Sequence, residues 1–320
     1  MKEALKRKID PTTGRGTVGE LPGAADLAAY QRATRRSWRA IAEDVGCSVF
    51  ALTQYRDGIY KHNPERIGAK IRTFLEREAA KDDDLKVPFV ATTVARRVIE
   101  GCALAQQARD ITVLYGPAGI GKTVALREFA RRTPHAYVVT ASPATRGPKA
   151  ITTETLLAMD EARGGGTLYK NVKRIRERLR RAPQAILVYD EAQHLAYQAL
   201  EELRALHDAT GVAMVFCGTE MLYEMFLRHG STDLPQLFSR IGFRRYVAAE
   251  ATREDMARVV AAAVGKSLAA KLEAYAWERS RKTNIRGVVK QLKLAWRIAR
   301  VAGKPLDLAG VKAVEKHMMV

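Results

Sequence analysis

The sequence has few of the features that mark exported, membrane-spanning or disulfide-bonded proteins. Its three cysteines, Cys47, Cys102 and Cys217, stand far apart and form no C-x-x-C spacing. Such an odd, scattered set indicates neither a disulfide framework nor a zinc site. No run of about eighteen apolar residues is present, and no apolar core follows the basic start. We therefore expect neither export nor a membrane span, and a location in the reducing cytoplasm.

Acidic residues are scarce relative to basic ones. The 320 residues include 54 Lys and Arg against 35 Asp and Glu, which gives a net charge of +19. This excess is larger than solubility requires, and it is typical of proteins that bind polyanions, above all nucleic acids. With 47% apolar residues, the chain can also form ordinary globular cores, and its length suggests about two domains.

One stretch, ITVLYGPAGIGKTV, joins a short apolar strand to a glycine-rich turn. The turn fits the pattern G-x-x-x-x-G-K-[ST], in which backbone N–H groups cradle phosphate oxygens at the start of a helix. Lys122 would reach the β- and γ-phosphates of a nucleoside triphosphate, and the Thr123 hydroxyl would hold Mg²⁺. The alternative is a glycine turn that only caps a helix, but the strand before it and the helix after it favour a nucleotide site. The predicted nucleotide-binding residues of this stretch are Gly116, Pro117, Ala118, Gly119, Ile120, Gly121, Lys122, Thr123 and Val124.

Four further apolar runs alternate with helical patterns, which predicts a five-stranded parallel sheet buried on both faces. They start at Ala136, Ala185, Val212 and Phe243. The second of these runs ends in Asp190 and Glu191. At the carboxyl end of a buried strand, Asp190 would help to hold hydrated Mg²⁺, and Glu191 would polarise the water that attacks the γ-phosphate. The alternative is an acid pair that only caps a helix.

Changes of pattern along the chain predict five segments. We expect a flexible basic N-terminus, a small all-α unit, a charged linker that includes Pro88, an α/β ATPase subdomain and a helical lid. The basic N-terminus covers residues 1–25, the all-α unit 26–80 and the linker 81–90. The α/β subdomain covers residues 91–249, and the lid covers 250–320.

The all-α unit contains the pattern of a helix-turn-helix. Apolar residues recur at helical spacing on both sides of a break at Gly46, and the small residue Ala42 would allow a close helix crossing. On the second helix, Thr53, Gln54 and Arg56 are predicted to contact DNA phosphates or base edges. The alternative is a plain helical hairpin.

Several polar residues beyond the phosphate loop are candidates for sensing the γ-phosphate. Thr219 follows the fourth strand of the chain, and Arg286 lies near the start of a helix in the lid. Arg240 could reach the nucleotide of a neighbouring subunit as an arginine finger, with Arg244 and Arg245 as rivals for that role. The alternative for Arg240 is a contact with phosphate or solvent, and the alternative for Arg286 is a surface arginine.

With these motifs in place, residues from about 91 to 299 resemble an AAA+ ATPase. The matches are GPAGIGKT to Walker A, ILVYDE to Walker B, Thr219 to sensor 1, Arg240 to the finger and Arg286 to sensor 2. More narrowly, DEAQHLAYQALEELRALHD, VAMVFCGTEMLYEM and LPQLFSRI are similar to the family of phage Mu B-like and TnsC-like transposition ATPases. This resemblance implies ATP-dependent filaments on double-stranded DNA that deliver the target DNA to a DDE transposase and stimulate it.

Two groups of basic residues are candidate DNA contacts within the ATPase region. Lys173 and Arg174 lie in the basic helix KNVKRIRERLRR, whose alternative role is a solvated face. Arg146 and Lys149 follow the second strand of the sheet, where the resemblance implies that oligomeric AAA+ proteins track DNA. Two other functions stay open at this point: a helicase-loader-like AAA+ protein, and a transcriptional regulator whose nucleotide site acts as a switch.

Overall fold

The computed structural model describes residues 8–9, 16–17, 21–60, 62–82, 85–160, 166–229, 235–247 and 251–318. The chain divides into two units, Met1–Asp84 and Leu85–Val320. No helix within the described ranges combines the length and the apolar character needed to cross a membrane.

The unit Met1–Asp84 is mainly helical. Its helices are α1 (Ala24–Thr34), α2 (Trp38–Val45), α3 (Val49–Arg56) and α4 (Pro64–Asp82). Ahead of them, the two-residue strands β1 (Lys8–Ile9) and β2 (Gly16–Thr17) pair in antiparallel fashion. The segment 1–25, which was predicted to be flexible, therefore contains one short strand pair and the first residues of α1.

The turn between α2 and α3 follows from local capping. The Ser37 and Ser48 hydroxyls accept hydrogen bonds from the backbone N–H groups of Ala40 and Ala51, at 3.2 and 3.1 Å, so each serine begins a helix. Gly46 ends α2 with a φ of 70°, a left-handed conformation that costs glycine little. The predicted break between the two helices is confirmed.

Apolar side chains hold these helices together. Leu27, Ile41, Leu52, Ile71 and Phe74 are fully buried in one cluster. Burial of each such side chain contributes about 1.5–3 kcal/mol. Because α3 turns Leu52 inward, its opposite face is directed to solvent.

In the unit Leu85–Val320, five parallel strands form one sheet, as predicted. They are β3 (Ile111–Tyr115), β4 (Ala136–Thr140), β5 (Ile186–Asp190), β6 (Ala213–Gly218) and β7 (Ile241–Tyr246), in the order β4-β5-β6-β3-β7. The last strand begins two residues before its predicted start at Phe243. Since β6 lies between β3 and β5, the residues that follow these three strands meet at one edge of the sheet.

Helices cover both faces of this sheet. Alternate residues of a strand face opposite sides, so Ile111 and Val113 enter one buried cluster while Leu114 enters the other. The helices are α5 (Thr93–Ala108), α6 (Lys122–Arg132), α7 (Pro148–Ala158), α8 (Leu168–Arg180), α9 (Tyr197–Thr210), α10 (Glu220–His229) and α11 (Pro235–Ser239).

A helical lid follows the sheet. It consists of α12 (Arg253–Val264), α13 (Lys266–Val301) and α14 (Leu308–Val314), which share a buried cluster around Leu272, Val288 and Leu292. Within α13, Asn284 leaves the helical conformation, with φ 61° and ψ −176°, so α13 is effectively two helices that meet at this residue.

The lid and the sheet subdomain are joined through Asp255. This fully buried carboxylate accepts hydrogen bonds from the Thr93 N–H at the start of α5, at 3.0 and 3.1 Å, and pairs with Arg258 at 2.6 Å. It also forms a capping box with Thr252 at the start of α12. A single side chain therefore caps helices of both subdomains.

Part of the predicted linker 81–90 belongs to these units. Helix α4 continues to Asp82, Leu85 packs into the buried cluster of the lid, and Phe89 packs against a cluster of the sheet. The Arg132 guanidinium lies 5.7 Å from the centre of the Phe89 ring. Apolar residues of the predicted linker thus take part in the packing of the unit Leu85–Val320.

Candidate nucleotide-binding site

The glycine-rich turn connects β3 directly to α6. Gly121 precedes the first helical residue, Lys122, with a φ of 104°, and Gly119 has a φ of 78°. Both conformations are left-handed and disfavour residues with a Cβ. The N-terminus of α6 opens towards this turn, and free N–H groups with the positive end of the helix dipole favour a bound anion there.

Lys122 is buried within the turn, with 7% of its surface exposed. Its ammonium group donates hydrogen bonds to the carbonyl oxygens of Gly116 and Pro117, both at 2.7 Å. Burial lowers the pKa of Lys122, although nearby carboxylates, including Glu191 and Asp190, oppose this shift. Phosphate oxygens would replace these carbonyls as stronger, charged acceptors.

Thr123 and Asp190 meet between the turn and the end of β5. The Thr123 hydroxyl donates to Asp190 Oδ2 at 2.7 Å, and the backbone N–H of Glu191 donates to Oδ1 at 3.0 Å. Burial raises the pKa of Asp190, and the Thr123 hydrogen bond partly offsets that rise. A hydroxyl oxygen and a carboxylate in contact are oxygen ligands of the kind that Mg²⁺ prefers, so this pair fits the predicted metal site.

Glu191, Gln193 and Thr219 form a second contact at the same edge. The Gln193 amide N–H donates to Glu191 Oε2 at 2.6 Å, and the Thr219 backbone N–H donates to Gln193 Oε1 at 3.3 Å. Glu191 has a φ of 53°, which strains a residue with a Cβ by about 1–3 kcal/mol. The Thr219 hydroxyl oxygen is buried and has no hydrogen-bond partner among the described residues. Sequence reasoning missed Gln193.

The lid contacts the turn through its backbone and one amide. The Arg286 backbone N–H donates to the Gly119 carbonyl at 3.2 Å, and the Asn284 amide donates to the Ala118 carbonyl at 3.2 Å. The Arg286 side chain is exposed. A cavity of about 220 Å³ separates the turn from α13, with Pro117 on one side and Trp277 on the other. Sequence reasoning also missed Asn284 and Trp277.

The remaining residues of the turn differ in how far they are buried. The Ile120 side chain is buried in the core of the sheet subdomain, whereas Val124 is 55% exposed on α6. At Gly121 an added Cβ would meet open space, since no atom lies within 4 Å of it. An open left-handed glycine, a buried lysine and an unpartnered buried hydroxyl at Thr219 together fit a nucleotide phosphate.

Comparison with known proteins agrees with this geometry. A family described as "AAA domain" matches residues 105–226. A relative from Haemophilus influenzae, named Mu-like prophage FluMu DNA transposition protein B, is 31% identical over 233 residues, which cover 70% of this chain and 79% of the relative. The chain belongs to the family of Mu-like DNA transposition B proteins.

Other similar proteins include another member of this family. The ATP-dependent target DNA activator B of Escherichia phage Mu is 29% identical over 213 residues, or 65% of this chain and 67% of that protein. Among solved structures, a mutant RuvB of Thermotoga maritima is 18% identical, with a TM-score of 0.44 over 69% of this chain and 68% of that chain. Membership in the Mu-like B family confirms the resemblance that the motifs indicated.

In this family member, Arg240 lies apart from the turn. Its side chain is 48% exposed, pairs with Asp208 at 3.0 Å and donates to the Ser239 hydroxyl at 3.2 Å. These partners lie on α9 and α11, not on the phosphate loop. The side chains of Arg244 and Arg245 lie outside the described part of the structure. The choice among the three arginines stays a prediction.

Three of the four candidate DNA contacts in the ATPase region are accessible to solvent. Arg146 and Lys149 are exposed, as is Lys173 on α8, whereas Arg174 is half-buried. The Arg146 carbonyl accepts a hydrogen bond from the Ala196 N–H at 2.9 Å, which ties this loop to the chain that follows Glu191.

On α3, the predicted DNA-binding side chains are already engaged locally. The Thr53 hydroxyl donates to backbone carbonyls of its own helix, and Arg56 pairs with Asp57 at 2.6 Å and lies 4.8 Å from the centre of the Trp38 ring. Gln54 is half-buried, and the most exposed side chain of this helix is Phe50, at 70%. Base readout by Thr53, Gln54 and Arg56 remains a prediction that would require these contacts to rearrange.

Proposed function

We propose that this chain is a Mg²⁺-dependent ATPase that assembles on double-stranded DNA and delivers it as a target to a DDE transposase. One observation carries the proposal. In a member of the Mu-like B family, Lys122, the Thr123–Asp190 pair and Glu191 meet at one edge of the sheet. The name of the phage Mu relative, an ATP-dependent target DNA activator, supports the same function.

The phosphates of ATP would bind over the turn between β3 and α6. Lys122 would exchange its two carbonyl partners for β- and γ-phosphate oxygens, and the left-handed Gly119 and Gly121 would let the backbone follow the phosphates closely. Asn284 and Arg286 of the lid already bond to this turn, so the lid is in place to respond to a bound nucleotide.

Hydrolysis would rely on the carboxyl ends of β5 and β6. Glu191 would accept a proton from the attacking water. As this happens, the water oxygen would bond to the γ-phosphorus, and the bond between the γ-phosphorus and the oxygen that leaves with ADP would break. Thr219 would supply its unpartnered hydroxyl to the γ-phosphate or the water. Thr123 and Asp190 would hold hydrated Mg²⁺, which neutralises developing charge on the phosphates when bound.

Assembly would complete the site from a second copy of the chain. Arg240 is exposed and pairs with Asp208 at the surface, so it can exchange this partner for the γ-phosphate of a neighbouring subunit. Under this scheme ATP binding favours the assembled state, and hydrolysis favours its dissociation.

DNA contact would be largely independent of sequence. The net charge of +19 and the exposed Arg146, Lys149 and Lys173 suit a phosphate-binding surface, and phosphate contacts position a protein without specifying bases. The helices α2 and α3 would add a second, weaker contact that raises the overall affinity.

Footprinting on unrelated duplexes tests this proposal. With ATP we expect protection of long stretches on every duplex, and little protection with ADP or with the Lys122→Ala variant. Protection of one short site on a single sequence, irrespective of nucleotide, would contradict the proposal and would indicate a transcriptional regulator.

A further inference from the structure

Gln193 bridges two strand ends of the site, and the function described above gives it no role. It lies in a short 3₁₀ turn, Ala192–His194, directly after β5. Its side chain extends to the end of β6, where its Oε1 accepts the Thr219 N–H, while its Nε2 donates to Glu191. One amide thus connects the candidate general base to the candidate γ-phosphate sensor.

The hydrogen-bonding partners of Gln193 determine which way its side-chain amide is oriented. A carboxylate accepts hydrogen bonds only, and a backbone N–H donates only, so the amide nitrogen must face Glu191 and the amide oxygen must face Thr219. The bond to Glu191, at 2.6 Å, is charge-assisted, which makes it the stronger of the two.

The surrounding backbone accommodates this arrangement. At Gly218, a Cβ would collide with Gln193 Oε1 and would press on Leu222, so only glycine leaves room for the amide there. Glu191 takes its left-handed conformation at the same point, with φ 53° and ψ 36°. A strained residue next to a buried strand end is a common feature of functional sites.

We infer that Gln193 is a positioning residue for ATP hydrolysis, an inference that rests on the proposed ATPase activity. Its amide holds Glu191 through Oε2 and thereby orients Oε1 to accept a proton from water. Because the same amide is held by the backbone of Thr219, the base and the sensor keep a fixed separation. Loss of the amide leaves the nucleotide-binding turn intact but lets the base rotate away from its productive geometry.

Steady-state hydrolysis by the full-length protein with Mg²⁺, ATP and DNA tests this role. We expect Gln193→Ala to lower kcat by about 10- to 100-fold, since small misplacements of a catalytic group have effects of this size. The affinity for a non-hydrolysable ATP analogue should change by less than about 2-fold, because the two side-chain hydrogen bonds described for Gln193 involve Glu191 and Thr219, which lie outside the turn. Gln198→Ala is the matched control, since Gln198 is exposed on α9 and should retain full activity.

A second variant separates positioning from folding. Gln193→Glu keeps the length of the side chain and an acceptor for the Thr219 N–H, but it replaces the donor that faces Glu191 with an acceptor. We expect it to keep the unfolding temperature within a few degrees of the original and to lower kcat at least as much as Gln193→Ala.

A double mutant identifies the residue through which Gln193 acts. If Gln193 works through Glu191, adding Gln193→Ala to Glu191→Gln should change the residual rate by less than about 2-fold. Additive losses would overturn the inference, as would hydrolysis by Gln193→Ala equal to that of Gln198→Ala. If the unsubstituted protein binds the ATP analogue but hydrolyses no ATP, the proposed ATPase function fails first and this inference fails with it.

Discussion

Asp190 and Lys122 are ionisable residues in buried positions, and burial acts on them in opposite directions. It raises the pKa of Asp190 and lowers the pKa of Lys122, in both cases against the charged form. Each charge is offset by a specific contact, the Thr123 hydroxyl for Asp190 and the Gly116 and Pro117 carbonyls for Lys122. Phosphate oxygens would thus replace the two carbonyls at Lys122, and a metal ion would bind the Thr123 hydroxyl and Asp190 together.

We expect Asp255 to make the stability of the chain depend on pH. Burial alone would raise the pKa of Asp255, but hydrogen bonds from Thr93 and Thr252 and the Arg258 guanidinium hold this pKa below its ordinary value. Its contribution is complete above the unfolded-state pKa of about 3.9 and is lost as the pH falls through the lower native value. We expect Asp255→Asn to reduce the free energy of unfolding by about 1–3 kcal/mol at pH 7.

The pH dependence of this difference is the measurement. Denaturant unfolding of both proteins should show the gap shrinking below about pH 4, where Asp255 of the unfolded chain takes up a proton while the native carboxylate stays ionised to lower pH. Asp307→Asn is the matched control, because Asp307 caps α14 at an exposed position and asparagine caps as well as aspartate. A gap for Asp255→Asn that stays constant down to about pH 2 would contradict the account.

Single residues also show how far the sequence could predict the site. The turn residues and Asp190 follow from local patterns, because a phosphate loop and an acid-ended strand are contiguous in the chain. Gln193 could not be assigned in this way, since its role depends on the pairing of β5 with β6, which brings Thr219 beside it. For Arg56, the sequence could not reveal that Asp57 and Trp38 engage its side chain.

At the scale of elements, the contact between the phosphate loop and α13 is the main feature. Asn284 interrupts α13, and its amide packs over Gly119, where an added Cβ would lie 2.5 Å from that amide. We expect Gly119→Ala to weaken ATP binding by about 10-fold or more, because a side chain there would displace the lid and strain a φ of 78°.

Gly211→Ala is the control for backbone strain alone. Gly211 ends α9 with a φ of 63°, and no atom lies within 4 Å of a Cβ at that position. It should lower the unfolding temperature without changing nucleotide affinity, as measured by titration with a fluorescent ATP analogue. Equal nucleotide affinity in the two variants would show that the contact between the lid and the turn does not support binding.

The sequence predicted the strands better than it predicted the breaks and connections between elements. The central strands β5 and β6 follow most directly from continuous apolar runs, because helices on both faces of a parallel sheet bury every residue of these strands. The edge strand β4 is mostly half-buried. The break at Asn284 gave no such signal, since neither proline nor glycine marks it. Leu85 and Phe89 also lie in a charged, proline-containing stretch, yet they pack into the clusters of the lid and the sheet.

For the whole molecule, the charge of +19 predicts how DNA binding depends on salt. Each neutralised phosphate releases counterions, so log affinity should fall linearly as log salt rises. Replacing both Arg146 and Lys149 with alanine should make the slope of log affinity against log salt shallower by about 2, or about 1 for each lost phosphate contact. It should also lower the affinity equally on every duplex. Titrations of two unrelated duplexes across a salt series, with ATP present, measure both effects.

A variant of equal charge serves as the control for this pair. Replacing Lys266 and Lys304 with alanine also removes two exposed charges, but from the lid and outside the candidate DNA surface. An unchanged slope in the Arg146 and Lys149 variant would show that this loop does not contact the DNA phosphates. A strong preference for one duplex would instead indicate base readout by α3.

The central claim is that bound ATP, and not its hydrolysis, assembles this protein on DNA. Electron microscopy of Glu191→Gln and Lys122→Ala, each mixed with ATP, Mg²⁺ and long duplex DNA, tests this claim most directly. Glu191→Gln should bind ATP, hydrolyse it about 10²- to 10⁴-fold more slowly and form long-lived assemblies on DNA, because general-base catalysis is lost while the phosphate-binding turn stays intact. Lys122→Ala should bind ATP poorly and leave the DNA bare. If Glu191→Gln assembles on DNA no more than Lys122→Ala does, the account is wrong.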